Sequence, residues 1–242
     1  MKYYTNGAAF IDQEIVPISE AKISILDWGF LHSDATYDVV HVWRGKFFRL
    51  NDHLERFFSS MTKLNMSIPY TRKELHSILR NCVKASGLHE AYVEMITTRG
   101  LPEPGSRDPR TCTNQFFAFA IPFIWITKPQ NGIHLIVSER QRIPPESVDP
   151  VIKNYHWLDF VLGQFEAFER GGETTVLIDS QGNIKEGPGF NIFSIKDSFL
   201  TTPARGVLQG ITRKTVLELA TENGFKVIHG NLTPEEARSS DE

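Results

Sequence analysis

Residues 153–160 read KNYHWLDF and set one lysine against a mostly aromatic and aliphatic stretch, directly after the proline-rich approach RIPPESVDPVI at 142–152. Lysine ordinarily keeps its ammonium in water on a flexible stem. A lysine beside apolar sequence therefore either snorkels at a domain edge or has its amine partly desolvated. Desolvation disfavours the charged form and frees a nucleophilic amine for Schiff-base formation. The octapeptide alone leaves both readings open, and the sequence around it has to choose.

A chain of 242 residues with 40% hydrophobic content holds one large or two small domains with a real core. The formal charge of -3, with no dense Lys/Arg run, argues against nucleic acid or a membrane surface as partner. No apolar run reaches the length of a membrane span, and MKYYTNGAAF at the start lacks the apolar centre of a signal peptide, so a cytoplasmic protein is expected. Cys82 and Cys112 are too few for a disulfide framework, and no Cys/His cluster has zinc spacing; no metal is expected.

Working outward from Lys153, two units emerge. Residues 1–127 begin with short apolar runs broken by turn residues (AAFID, IVPIS, ISIL, YDVVHVW, KFFRL), which predict strands. Two helices follow: Leu54, Phe57, Phe58, Met61 and Leu64 recur at helical spacing, and Thr71 with Glu74 forms a capping-box pattern ahead of Leu75, Ile78, Leu79 and Cys82. AYVEMITTR and NQFFAFAIPFIWI return to strand composition around the Pro/Gly-rich loop LPEPGSRDPRTCT. KPQNG at 128–132 is the expected linker to a second unit at 133–242. There IHLIVSE predicts a strand, and a helix after Lys153 carries Leu158, Val161, Leu162, Phe165 and Phe168 on one face before Gly171 and Gly172 stop it. Paired strands are expected in TTVLID, IKEG and FNIFSI, then a helix from Thr212 to about Asn223, and a second capped start at Thr233-Pro234-Glu235-Glu236.

Three further places in the sequence bear on chemistry. Glu186 lies between two strands in IKEGPGFNIF; it is either a solvated turn carboxylate or the partner of a protonated ring nitrogen in an aldehyde cofactor. Gly210, Ile211 and Thr212 open a helix whose free N–H groups and dipole suit a phosphate. Arg56 lies on the side of its helix away from the Leu54/Phe57/Phe58 stripe, where it is either solvated or available to that phosphate.

The ordered set DWGFLHSDATYDVV, HLERF, VIKNYHW, KEGPGFNIF and GVLQGITR resembles the fold-type IV pyridoxal-phosphate enzymes: branched-chain and D-amino-acid aminotransferases, aminodeoxychorismate lyase and (R)-selective amine transaminases. The likeness is strongest to the last group, through FLHSDATYDV, FFRLNDH, ITTRG, EGPGFNI and RGVLQGITRK. The resemblance implies an α/β fold of two domains, a small N-terminal one and a larger C-terminal pseudo-barrel, with pyridoxal 5'-phosphate between them. It makes Lys153 the Schiff-base lysine, pairs Glu186 with the pyridine nitrogen, and gives the phosphate to Arg56 and the backbone amides of Ile211 and Thr212. It implies an (R)-amine donor, a keto acid acceptor such as pyruvate, ping-pong half-reactions and a homodimer. Other specificities on the same scaffold, a lyase, and a non-catalytic homologue are the alternatives.

Departures from the family pattern concern the substrate. Branched-chain enzymes carry an arginine two positions after the residue matched by Tyr92, where this chain has Glu94. They carry a tyrosine and an acid where it has Leu158 and Phe190. These differences favour a donor without a carboxylate. His32, Tyr37, Val39 and Tyr92 match pocket positions, and Arg107 is the expected carboxylate binder, with Arg110 as the other possibility. The family continues beyond the DE pair at 241–242 into a strand and a phosphate loop, so a longer native protein is expected.

Overall fold

The structure, a computed structural model, describes residues 3–125 and 132–242. The chain divides into two units: Met1–Ile126 together with Lys153–Tyr155, and Thr127–Ile152 together with His156–Glu242. Residues 128–131 of the expected linker lie outside the described residues. The sequence assigns Lys153 to the C-terminal unit by position, but its backbone pairing places it with the first, which holds the larger share of this chain.

The first unit runs β1 (Ala8–Ile11), β2 (Glu14–Pro17), α1 (Trp28–His32), β3 (Ala35–Trp43), β4 (Lys46–Phe47), α2 (Leu50–Lys63), α3 (Arg72–Ser86), β5 (Ala91–Leu101) and β6 (Thr113–Pro122). Its strands form one antiparallel sheet in the order β2-β1-β6-β5-β3-β4. Side chains alternate across such a sheet, and directly paired residues share a face. One face carries Val40 and Val42 of β3, Val93 and Met95 of β5, and Ala118 and Ala120 of β6. It packs on Leu54, Phe57 and Met61 of α2 and on Leu75, Leu79 and Cys82 of α3. The small alanines of β6 leave room for the large helix side chains. The capping box at α3 forms as the sequence predicts: Thr71 N–H donates to Glu74 Oε2 (2.7 Å) and Glu74 N–H donates to Thr71 Oγ1 (3.3 Å). ISIL at 23–26 forms no strand; Ile25 and Leu26 are exposed and have no apolar face to alternate against.

One charged group sits inside this packing. Asp38 of β3 is fully buried and accepts from His53 Nδ1 (2.8 Å) and, through both oxygens, from Arg56 Nε (2.7 Å) and Nη2 (2.8 Å) of α2. Burial pushes its carboxyl upward, but the hydrogen bonds from His53 and Arg56 outweigh it and hold the group below the usual carboxylate range.

The second unit contains β7 (Leu135–Gln141), α4 (Leu158–Glu169), β8 (Thr174–Ile178), β9 (Glu186–Gly187), β10 (Phe190–Asn191), β11 (Ser194–Lys196), β12 (Phe199–Pro203), α5 (Ile211–Glu222), β13 (Lys226–Gly230) and α6 (Pro234–Arg238). Among the described residues the strands make three separate ladders: β7-β8 parallel, β9-β10 antiparallel, and β11-β12-β13 with β12 and β13 parallel.

The α4 helix corrects a sequence expectation. Leu158, Val161, Leu162, Phe165 and Phe168, the apolar stripe, are all exposed, while Phe160, Gly163 and Ala167 are buried. The close approach to β8 decides this: a Cβ on Gly163 would stand 2.7 Å from Leu177 Cδ2 and 3.3 Å from Thr175 Cγ2, so the face that meets the strand is the one with glycine at the point of contact. No helix among the described residues is long and apolar enough to cross a membrane.

Two substitutions test this packing. Asp38→Asn should lower first-unit stability at pH 7 by about 3 kcal/mol, the cost typical of breaking a buried pair. Because the folded-state acid is the stronger one, its contribution is complete above the unfolded value and is lost as pH falls through the folded one; the gap between wild type and variant should therefore begin to narrow only below about pH 4 in denaturant titrations. Gly163→Val should destabilise the second unit by about 1–3 kcal/mol through overpacking, read by the same method.

Candidate active site

Lys153 is fixed by its backbone before its side chain does anything. Its carbonyl accepts from Thr36 Oγ1 (2.7 Å) and from Tyr37 N–H (3.1 Å), and its own N–H donates to Ser60 Oγ (3.4 Å). Asn154 forms an antiparallel bridge with Thr36, so residues 153–155 extend the open edge of β3. In an extended segment residues 153 and 155 point the same way. Both meet Tyr37: Lys153 Nζ lies 4.2 Å from the ring centroid, and the Tyr155 ring stacks on it at 4.4 Å with an interplanar angle of 4°. An ammonium over an aromatic face gains cation–π attraction, which increases as water is excluded.

The sheet face opposite the core supplies the rest of this cluster. Tyr37, Val39 and His41 of β3 pair in register with Ile96, Glu94 and Tyr92 of β5. Glu94 is buried, and its two oxygens accept from Tyr155 Oη (2.5 Å) and Tyr92 Oη (2.8 Å). Burial raises its carboxyl above the ordinary range, against the opposing pull of the two phenols and of Lys153. Burial and the neighbouring Glu94 raise both phenols as well, so Tyr92 and Tyr155 remain hydrogen-bond donors. Val39, half-buried, lies directly across from Glu94.

Sequence reasoning passed over Tyr155. Its signal was the two-residue spacing from Lys153, which acquires meaning only once the segment is known to be extended. Leu158, at the position where branched-chain enzymes carry a tyrosine, is 77% exposed.

In the second unit Glu186 is buried rather than a solvated turn residue. Its Oε2 accepts from Leu208 N–H (2.8 Å) and its Oε1 from Arg142 Nε (3.2 Å). Arg142 also donates through Nη1 to Asp159 (2.6 Å) and stacks over the Phe160 ring at 4.2 Å. The bond from Leu208 ties Glu186 to the loop that opens α5. Gly210 is the N-cap there, and no side chain caps the helix, so the first-turn N–H groups of Ile211 and Thr212 meet no side-chain oxygen from the cap. A Cβ at Gly210 would lie 2.3 Å from Asn191 Oδ1, so a larger residue there would displace the Asn191 side chain. A groove of about 580 Å³ passes Gln209, Gly210, Ile211 and Arg213.

The other sequence candidates are placed as follows. Arg56 is not solvated; it is largely buried against Asp38, which orients its guanidinium. His32 ends α1, exposed and edge-on to Trp28 at 4.7 Å. Arg107 is exposed and has no hydrogen bond or ion pair among the described residues, whereas Arg110 forks onto Asp108, whose carboxyl is held down to about 2 by that contact. Neither His32 nor Arg107 joins the Tyr37–Glu94–Tyr155 cluster.

Each unit holds groups of the kind pyridoxal phosphate takes: the first has the Lys153 amine over Tyr37 and the Arg56 guanidinium, the second the buried Glu186 carboxylate and an α5 start with no side-chain cap.

Comparison with known proteins agrees with this chemistry. The amino-transferase class IV family profile matches residues 35–242. A Methanocaldococcus jannaschii protein, provisionally named branched-chain-amino-acid aminotransferase, is 33% identical, over 100% of this chain and 82% of its own length. A D-alanine aminotransferase of Listeria monocytogenes is 26% identical over 96% of this chain and 81% of its own. The branched-chain aminotransferase of Thermoproteus uzoniensis, solved with norvaline, superposes with a TM-score of 0.89 at 27% identity, covering 97% of this chain and 81% of that one. With Lys153, Glu186 and the open α5 start in the family's order, the chain has the fold-type IV architecture and belongs to amino-transferase class IV, whose enzymes work with pyridoxal 5'-phosphate.

Proposed function

We propose that this protein is an amino-acid aminotransferase, moving the amino group of a branched-chain or D-amino acid to a 2-keto acid through Lys153. The observation that carries the reading is Lys153 itself: a backbone held at two points on the edge of β3, with its amine over Tyr37. The amino-acid donor class follows the names borne by the relatives, branched-chain and D-alanine aminotransferases. Bound pyridoxal phosphate would supply an aldehyde for the amino group and a ring that takes up the electron pair of the donor's carbon–hydrogen bond. Lys153 Nζ then holds the proton removed from that carbon and returns it, as a positioned general base and acid. Glu186 keeps a proton on the ring nitrogen, while Arg56 and the N–H groups of Ile211 and Thr212 hold the phosphate. Val39 and Tyr92 lie on the same sheet face as Tyr37 and shape the donor's side-chain space. Arg107, exposed and without a partner among the described residues, is the carboxylate binder in this reading. A cytoplasmic homodimer fits the same family role.

A specific observation favours a second reading, an (R)-amine donor with a pyruvate-type acceptor. Glu94 stands where the branched-chain pattern has an arginine, and its two oxygens accept from Tyr155 and Tyr92, so that position offers a donor's carboxylate no cation.

The spectrum of pyridoxal phosphate bound to the purified protein decides between them. After addition of L-leucine, D-alanine or (R)-1-phenylethylamine, the amino acids should discharge the aldehyde band; discharge by the (R)-amine alone would establish the second reading. Lys153→Ala should slow that single-turnover step by at least about 100-fold, the low end for loss of a general base. An unchanged rate would remove Lys153 from the chemistry.

A further inference from the structure

We propose that Arg142 is a positioning residue for the cofactor's ring nitrogen, acting through Glu186. The inference rests on the reading that Glu186 faces that nitrogen, and it goes beyond it by naming what keeps the carboxylate fit for the task. A buried carboxylate left to itself tends to take up a proton, because burial penalises its charge. A protonated Glu186 would be a poor partner for a ring nitrogen that must itself carry the proton.

The arrangement around Glu186 opposes this. Arg142 Nε donates to Glu186 Oε1 (3.2 Å) and the Leu208 amide donates to Oε2 (2.8 Å), so each oxygen has a donor that favours the ionised form. The guanidinium in turn is held on three sides. Its Nη1 donates to Asp159 Oδ2 (2.6 Å), its plane lies over the Phe160 ring at 4.2 Å, and its side chain is only 10% exposed. Asp159 is held by two backbone amides, Ile143 N–H (3.1 Å) to Oδ2 and Phe160 N–H (2.8 Å) to Oδ1. Arg142 opens the proline stretch that leads to Lys153, and Asp159 begins the helix that follows it. The same cation thus ties the approach to the lysine, the start of α4 and the carboxylate into one network. A lysine at 142 would bring a point charge without the planar fork that reaches Glu186 and Asp159 together.

The test compares two cofactors that differ only at the ring nitrogen: pyridoxal phosphate and its 1-deaza analogue, which has carbon there. Dissociation constants for both are measured by fluorescence on wild type, Glu186→Gln, Arg142→Gln and Arg142→Lys. Wild type should prefer the nitrogen-bearing cofactor, and Glu186→Gln should abolish the preference. If Glu186→Gln retains it, the reading of Glu186 fails, and the inference with it. With that control in place, Arg142→Gln should reduce the preference by about tenfold, the scale of one charge-assisted hydrogen bond, and Arg142→Lys by less. A merely structural arginine would weaken binding of both cofactors by the same factor and leave their ratio unchanged; that result overturns the proposal. Should Arg142→Gln fail to fold, Arg142→Lys carries the same decision: a lowered ratio supports the role and an unchanged ratio rejects it.

Discussion

The carbonyl oxygen of Lys153 accepts two hydrogen bonds, from Thr36 Oγ1 and from the Tyr37 amide, and through them three residues from the middle of the chain become an added strand segment on β3. A lysine tethered only by its side chain would lose several rotatable bonds of freedom on every approach to a substrate. Here the backbone is fixed first, so only the side chain remains to be ordered. The contact partners then follow from strand geometry: the side chains of residues 153 and 155 both meet Tyr37, and Glu94 receives the Tyr155 phenol.

The two units use buried charge in the same manner. In the first, Asp38 is surrounded by His53 and Arg56 and pulls α2 onto β3. In the second, Glu186 and Asp159 share Arg142. Each of these acids is compensated by a guanidinium that meets it through more than one nitrogen or more than one acid, the arrangement in which desolvated charges are least costly. Glu94 differs from Asp38: its partners are neutral phenols rather than a guanidinium, and burial raises its carboxyl.

Several parts of this arrangement were legible in the sequence for physical reasons that act locally. The α3 capping box needs only Thr71 and Glu74 at a spacing of three, and the α2 stripe follows from helical periodicity. The open start of α5 follows from a glycine with no capping side chain. The ISIL segment and the α4 stripe misled because local pattern cannot say whether an apolar face has anything to pack on. On α4 the deciding residue was Gly163, whose lack of a side chain admits Leu177 and Thr175 more closely than the large apolar face would allow.

By itself the sequence put a lysine, an acid and a glycine turn ahead of a helix in an order that identifies the family, because those groups must be chemically what they are wherever the chain puts them. Only the tertiary structure decided which unit holds Lys153, that Tyr155 and Glu94 stand near it, and that Arg142 donates to Glu186. Those partnerships join residues 44 to 117 positions apart. Hydrogen bonds and ring contacts over such separations depend on sheet register and on which faces can approach, and neither is written in a local pattern.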